Sequence, residues 1–256
     1  LRFAWQGFSF ELPDDIHPVS LSGSLASGYA GLAASEGPSI QVRWQRSKLP
    51  PSQQVLETYL ARLNRDAQKK KRPFDGHIWK DEEDLRFQYA TGEGALISRS
   101  GRVFFVEVSA PSKRSRTATA KQVLCSFHVE DTELLSWHIL GLQVRIPKQL
   151  TLQRKELIAG KTALDFSSPL THVRAERWGA ADQLLTGTTL AQWLAALLNA
   201  KSAIEESPTS ASLTLQSPLK TPLHAKAIWQ VEQNQVTLVR STTRQHKMRP
   251  QWDWFD

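Results

Sequence analysis

Residue types that carry chemistry are present in this chain, but seldom at spacings that let them act together. The histidines are His17, His77, His128, His138, His172, His224 and His246, and they form no His-x-His or His-Glu-x-x-His pair. The short spacing that aims two imidazoles at one metal ion is therefore missing. His128 with Glu130 and Glu133 is the tightest cluster of such groups, and it falls in a stretch that reads as a hydrated linker. Ala159-Gly160-Lys161-Thr162 ends like a phosphate-binding loop, yet Lys155 stands where the loop's first glycine belongs, so the backbone cannot wrap a phosphate there. Gly92-Glu93-Gly94 lacks the third glycine of a dinucleotide loop, since Ile97 occupies that place, and it reads as a turn. No Gly-x-Ser-x-Gly elbow occurs. Asp81-Glu82-Glu83-Asp84 reads as a hairpin tip rather than a divalent-cation patch. The single cysteine, Cys125, excludes an intramolecular disulfide and a cysteine-based zinc site, and beside Leu124 it reads as a small buried hydrophobe. We expect no catalytic residue, no metal ligand and no cofactor.

Anion binding is the chemistry the charges favour. The formal net charge is +7, with a pI near 9.6, which suits acidic partners such as nucleic acid or an anionic surface. Part of the excess is local. Lys69-Lys70-Lys71-Arg72 follows a predicted helix, and Lys113-Arg114-Ser115-Arg116 is expected in a loop. The candidate anion-binding residues are therefore Lys69, Lys70, Lys71, Arg72, Lys113, Arg114 and Arg116. The competing reading is solvated charge, with the first run complementing the negative end of a helix dipole.

The elements that must position these groups follow from periodicity. Phe3, Trp5, Phe8, Phe10 and Leu12 alternate about Gly7, which predicts a strand or tight hairpin, and Pro13-Asp14-Asp15 a turn. Residues 21–32 read as one strand of small residues, and residues 39–45 as another. Ser52 is a plausible N-cap for a helix running to about Lys69, with Val55, Tyr59, Leu60 and Leu63 as its buried stripe. Strands follow at 76–81, 85–91 and within 94–110, where Ser100-Gly101 signals a hairpin, and a second helix is expected over 117–129.

The second half repeats this programme at an offset of 134 residues. Gly7 to Pro13 is answered by Gly141 to Pro147, Arg43-Trp44 by Arg177-Trp178, and Leu56, Leu60, Ala61 and Leu63 by Leu190, Leu194, Ala195 and Leu197. Identities are few, but they fall on the apolar phase of a strand and the stripe of a helix. One stretch departs: Ile40 and Val42 share a face with Trp44, whereas Arg174 and Glu176 take those places in the second copy. A bulge or a one-residue shift is required there. Strands are expected at 140–146, 164–166, 173–178, 213–215, 225–232 and 235–241, with a helix over 188–203. Trp79 and Trp229 are paired as core tryptophans, as are Trp44 and Trp178. The expected organisation is α+β: residues 1–130 as a first module and 137–256 as a second, shorter one without a final helix, each an antiparallel sheet packed by helices. The tail, Trp252-Asp253-Trp254-Phe255-Asp256, has no counterpart.

This order of elements resembles the Mog1/PsbP-like fold. The likeness rests on the opening Gly-aromatic-x-apolar-x-Leu-Pro strand, the strand bearing Trp44, the long helix, the meander and a closing helix written Lys121-Gln122-Val123-Leu124-Cys125-Ser126-Phe127. It covers most of 3–129 and, less completely, 137–241. The resemblance implies binding or assembly modules rather than enzymes and carries no functional residues across.

Forty per cent apolar and 22% charged residues describe a globular chain. The longest nearly apolar run, Leu190 to Leu198, is far short of a bilayer crossing, so no transmembrane segment is expected and a soluble, cytoplasmic setting is favoured. The chain begins at Leu1 without Met and reads as a processed form. Three function classes stand: a non-enzymatic tandem module binding an unknown macromolecular partner, a nucleic-acid or anionic-surface binder using the basic runs, and an enzyme whose residues converge only in three dimensions. The first is favoured over nucleic-acid binding.

Overall fold

The computed structural model describes residues 1–49, 51–200, 204–217 and 220–243. The chain divides into two units, Leu1–Asp131 and Thr132–Asp256. The aromatic tail, His246 and the last turn expected of the 188–203 helix lie outside the described residues.

The first unit opens with a hairpin, β1 (Arg2–Trp5) and β2 (Phe8–Glu11), turned at Gln6-Gly7 with φ of 50° and 72°. A meander follows: β3 (His17–Gly23), β4 (Ser27–Ala33) and β5 (Ser39–Arg46). The stretch 21–32, expected as one strand, is thus a hairpin. Gly23, at φ 99°, breaks it where a Cβ would lie 2.3 Å from the Ser27 carbonyl oxygen. Helix α1 (Gln53–Lys69) is capped by Ser52, whose side chain accepts from the Gln54 amide. Then come β6 (His77–Asp81), β7 (Asp84–Tyr89), β8 (Gly92–Arg99) and β9 (Arg102–Ser109), helix α2 (Lys113–Ser126), and β10 (His128–Val129), which pairs with β2. Gly92-Glu93-Gly94, expected as a turn, is strand. Gly94 lets strands β8 and β9 approach so closely that a Cβ would stand 2.1 Å from the Val106 carbonyl oxygen. The acidic quartet forms the β6–β7 tip, where Asp81 pairs with Asp84 and Glu82 adopts φ 53°.

These strands form a seven-stranded antiparallel sheet in the order β3-β4-β5-β9-β8-β7-β6. One face of it is covered by the hairpin and the end of α2, where Phe8 packs against Trp44, Phe104 and Phe127 at 5.2, 5.5 and 5.8 Å between ring centroids. The other face takes α1 through Leu56 and Leu60 against Phe87 and Leu96. The buried stripe of α1 is therefore Leu56 and Leu60 flanked by Tyr59 and Leu63, and Val55 is turned out, 53% exposed. Helix α2 starts earlier than its apolar pattern suggests, because Ser112 caps it and its buried side is Arg116, Thr119, Ala120 and Val123. Cys125 lies off that stripe and is exposed, not buried.

The second unit has the hairpin β11 (Leu134–Ile139) and β12 (Leu142–Pro147), turned at Leu140-Gly141. Strands β13 (Thr151–Ile158), β14 (Lys161–Ser167) and β15 (Thr171–Gly179) follow. After helices α3 (Ala181–Leu184) and α4 (Leu190–Leu198) come β16 (Ile204–Ser207), β17 (Ser210–Ser217), β18 (Lys220–Gln230) and β19 (Gln235–Thr243). Strand β13, an edge strand with polar Gln153 to Glu156 between Leu152 and Leu157, shows no hydrophobic alternation. The sheet order is β13-β14-β15-β19-β18-β17-β16. Helix α4 buries Leu190 and Leu194 against Leu213, Ala225, Ala227 and Leu238. Both units are thus sheet-rich α+β assemblies, and no helix among the described residues is long and apolar enough to cross a membrane.

Candidate functional site

A groove of about 550 Å³ runs along one flank of α1. Its origin is the offset of the helix over the sheet. Leu56 and Leu60 seat α1 on the β7–β8–β9 half, and residues 55, 58, 62 and 65, one helical flank, look toward the uncovered β5 side. Val55, Thr58, Arg62 and Arg65 form the helix wall, Arg43 and Gln45 the strand wall, and Leu96, Val103 and Phe105 line it from β8 and β9. Ser47 and Ser52 add hydroxyls at one end.

The groove is cationic. Arg43, Arg62 and Arg65 are exposed, and among the described residues none of the three has a carboxylate partner. Arg62 rests on the Tyr59 ring at 5.5 Å and Arg43 on the Tyr29 ring at 5.9 Å, which steadies each guanidinium without neutralising it. Beside this wall the buried Glu107 accepts hydrogen bonds from both Tyr59, at 2.8 Å, and Tyr89. Burial first, and then the Glu107 carboxylate, pushes the Tyr89 phenol up to about 12 and Tyr59 well above its ordinary value. Both phenols stay protonated donors at neutral pH, so the trio supports the wall of the groove.

The basic runs named from sequence lie elsewhere. Lys69 ends α1, 3.7 Å from Asp66, and Lys70 caps the helix; Lys71 and Arg72 follow, and all four are exposed. Lys113 and Arg114 are exposed in the first turn of α2 rather than in a loop. Arg116 is withdrawn: it is 3% exposed, and its Nη1 donates to the Ala90 carbonyl at 2.7 Å. Lys161, of the loop resembling a phosphate site, follows a β-hairpin turn and reaches Glu176 at 3.4 Å and the Trp178 ring at 4.4 Å. Sequence reasoning missed Arg43, Arg62 and Arg65. The only signal was the helical spacing of 55, 58, 62 and 65, which does not reveal where β5 lies.

The second unit gathers part of its charge into a closed network. Arg174 meets Asp165 at 2.6 Å, Glu156 at 3.1 Å and Glu176 at 3.1 Å, while Arg240 meets Glu176 at 3.0 Å. With Lys161 this sets three cations against three carboxylates. Hydrogen bonding from Arg174, then the nearby Lys161, holds the Glu156 carboxyl below its usual range.

No known family model, curated protein or solved structure matches this chain.

Proposed function

We propose that the chain is a non-enzymatic tandem binding module, two copies of one Mog1/PsbP-like α+β unit, in which the groove of the first unit takes an anionic partner. The observation that carries the binding role is the set of three arginines along α1 and β5 with no carboxylate partner among the described residues. Exposed guanidinium groups, two of them resting on aromatic rings, are suited to bidentate recognition of carboxylate or phosphate.

Four features support the duplication. Both sheets run in the same strand order. The β3–β4 pair breaks register between Pro18 and Ser20, and β13–β14 breaks between Leu152 and Arg154, the same places under the Gly7-to-Gly141 spacing; a bulge is a costly feature to place twice by chance. Both opening hairpins turn through two residues of positive φ, Gln6-Gly7 and Leu140-Gly141. In each unit the first residue of the last sheet strand ties down that turn: Arg102 donates to the Gln6 and Gly7 carbonyls at 2.7 and 2.8 Å, and Gln235 to the Gly141 carbonyl at 3.2 Å. The departure in phase also finds a physical reason. The turn closed by Ala33 and Ser39 is one residue longer than that closed by Ser167 and His172. Ile40 and Val42 then answer Val173 and Ala175, Trp44 answers Arg177, and Arg43 and Glu107 answer Glu176 and Arg240. The two Arg-Trp pairs are out of step by one residue, and Trp79, on edge strand β6, does not answer Trp229 on β18.

Retention on immobilised polyglutamate tests the binding role. The protein should bind at low salt and elute as salt rises, and the triple variant Arg43→Glu, Arg62→Glu, Arg65→Glu should pass through. A variant with Lys69, Lys70, Lys71 and Arg72 changed to Ser should still be retained. The reverse result would move the site to the basic runs and favour the second reading, a nucleic-acid or anionic-surface binder using Lys69 to Arg72 with Lys113 and Arg114.

A further inference from the structure

Resting on that reading, we infer that the partner is a protein segment bound in extended form: acidic where it passes Arg62 and Arg65, and aliphatic where it passes Val55. The groove is a trough rather than a round cavity. From Ser52 to Arg65 it follows α1 for about 20 Å at the helical rise of 1.5 Å per residue, a length that an extended chain covers with about six residues. Its two ends differ. The α1 N-terminal end offers Val55, 53% exposed, beside Pro51, and the other end offers Arg62 and Arg65 on one helical flank. Charge complementarity selects an anionic group at the second end. The exposed Val55 and the half-buried Val103 select an apolar side chain beside them.

The rings argue against a nucleic acid as the occupant. Single strands bind by laying bases on free aromatic faces. Tyr59 stands edge-on against Phe105, with centroids 5.0 Å apart, and Arg62 already lies on the Tyr59 ring. Phe105 is stacked on Phe87 at 5.2 Å. The aromatic faces of the groove are spent on internal packing, whereas its guanidinium edges and the Val55 side chain are open.

The test uses the whole chain and three probes, followed by fluorescence anisotropy or co-sedimentation: a labelled peptide of about eight residues with glutamates at one end and leucines at the other, an oligothymidylate of similar length, and vesicles rich in anionic phospholipid. The expected result is saturable binding of the peptide, weakening as salt rises. Arg62→Glu with Arg65→Glu should weaken it about tenfold or more, and Val55→Asp should weaken it too. A peptide with its glutamates replaced by glutamine should bind poorly, and one with leucines replaced by serine should lose affinity while keeping its salt dependence. All these positions are exposed, so unchanged melting curves show that the variants fold. Binding of oligothymidylate or vesicles alone, lost in the same arginine variants, would overturn the peptide assignment and leave the groove as an anion site. Failure of every probe to respond to the groove variants would overturn both.

Discussion

At the residue scale the most constrained group is Glu107, a buried carboxylate whose Oε1 serves two phenols. The phenols are raised in the folded state, so the unfolded chain releases their protons first. Stability contributed by Tyr59 and Tyr89 is whole below pH about 10 and falls as pH climbs from there through about 12. Absorbance at the phenolate band should show both ionising late, together with unfolding, and Glu107→Gln should bring both down because the negative neighbour is gone. On the acid side the sign reverses. Glu156 is held below its usual range, so its contribution is present above pH about 4.5 and disappears as pH falls through the folded value. Melting midpoints taken from pH 6 to 3 should drop less steeply in Arg174→Met than in the parent protein. Arg102 supports a comparison between the units. Arg102→Gln keeps a donor for the Gly7 carbonyl, as Gln235 does for Gly141, and should cost less than Arg102→Met, which strands buried carbonyls at about 1–3 kcal/mol. Equal losses in urea unfolding would count against the equivalence of the two positions.

At the element scale, helices α4 and α2 are stopped and started by their caps rather than by propensity. Helix α4 opens on a reciprocal box, with Thr189 accepting from the Gln192 amide and the Gln192 side chain accepting from the Thr189 amide. Thr189→Ala should destabilise the second unit by about 1 kcal/mol, read as loss of hydrogen-exchange protection over Leu190–Leu198. The same helix ends at Leu198, with Asn199 as its C-cap at φ 49°. An αL residue satisfies the last carbonyls and turns the chain away. Helix α2 shows the converse. Its basic first turn, Lys113 to Arg116, opposes the dipole, yet Ser112 and the buried Arg116–Ala90 bond hold it in place. Charge run and apolar stripe gave opposite signals there, and the cap decided.

For the whole molecule, the contrast between the units is electrostatic. The second holds Lys161, Arg174 and Arg240 in a closed network around Glu176, whose side chain is 2% exposed. Glu176→Ala leaves Arg240 without its carboxylate and should cost about 1–3 kcal/mol, less than a fully buried pair because the Arg240 side chain is 29% exposed. Amide exchange should place that loss in β14, β15 and β19. The first unit leaves three arginines open beside a trough, which is why binding is assigned to it.

Local pattern, hydrophobic rhythm with a cap and a turn signal, was enough to read α1 from its Ser52 cap to Lys69 apart from Val55, the Ser100-Gly101 hairpin and the paired opening strands, because periods, caps and turns are local properties of the chain. It misplaced Cys125, joined β3 to β4 and overlooked β13, where small or polar residues blur the period. It could not place Arg43 opposite Arg62 and Arg65. Those residues lie on different elements, and their meeting depends on how far α1 is offset across its sheet, a packing distance set by Leu56, Leu60, Phe87 and Leu96 together. Composition determined that the chain is basic; only tertiary structure decided which of its cations are paired and which stand open.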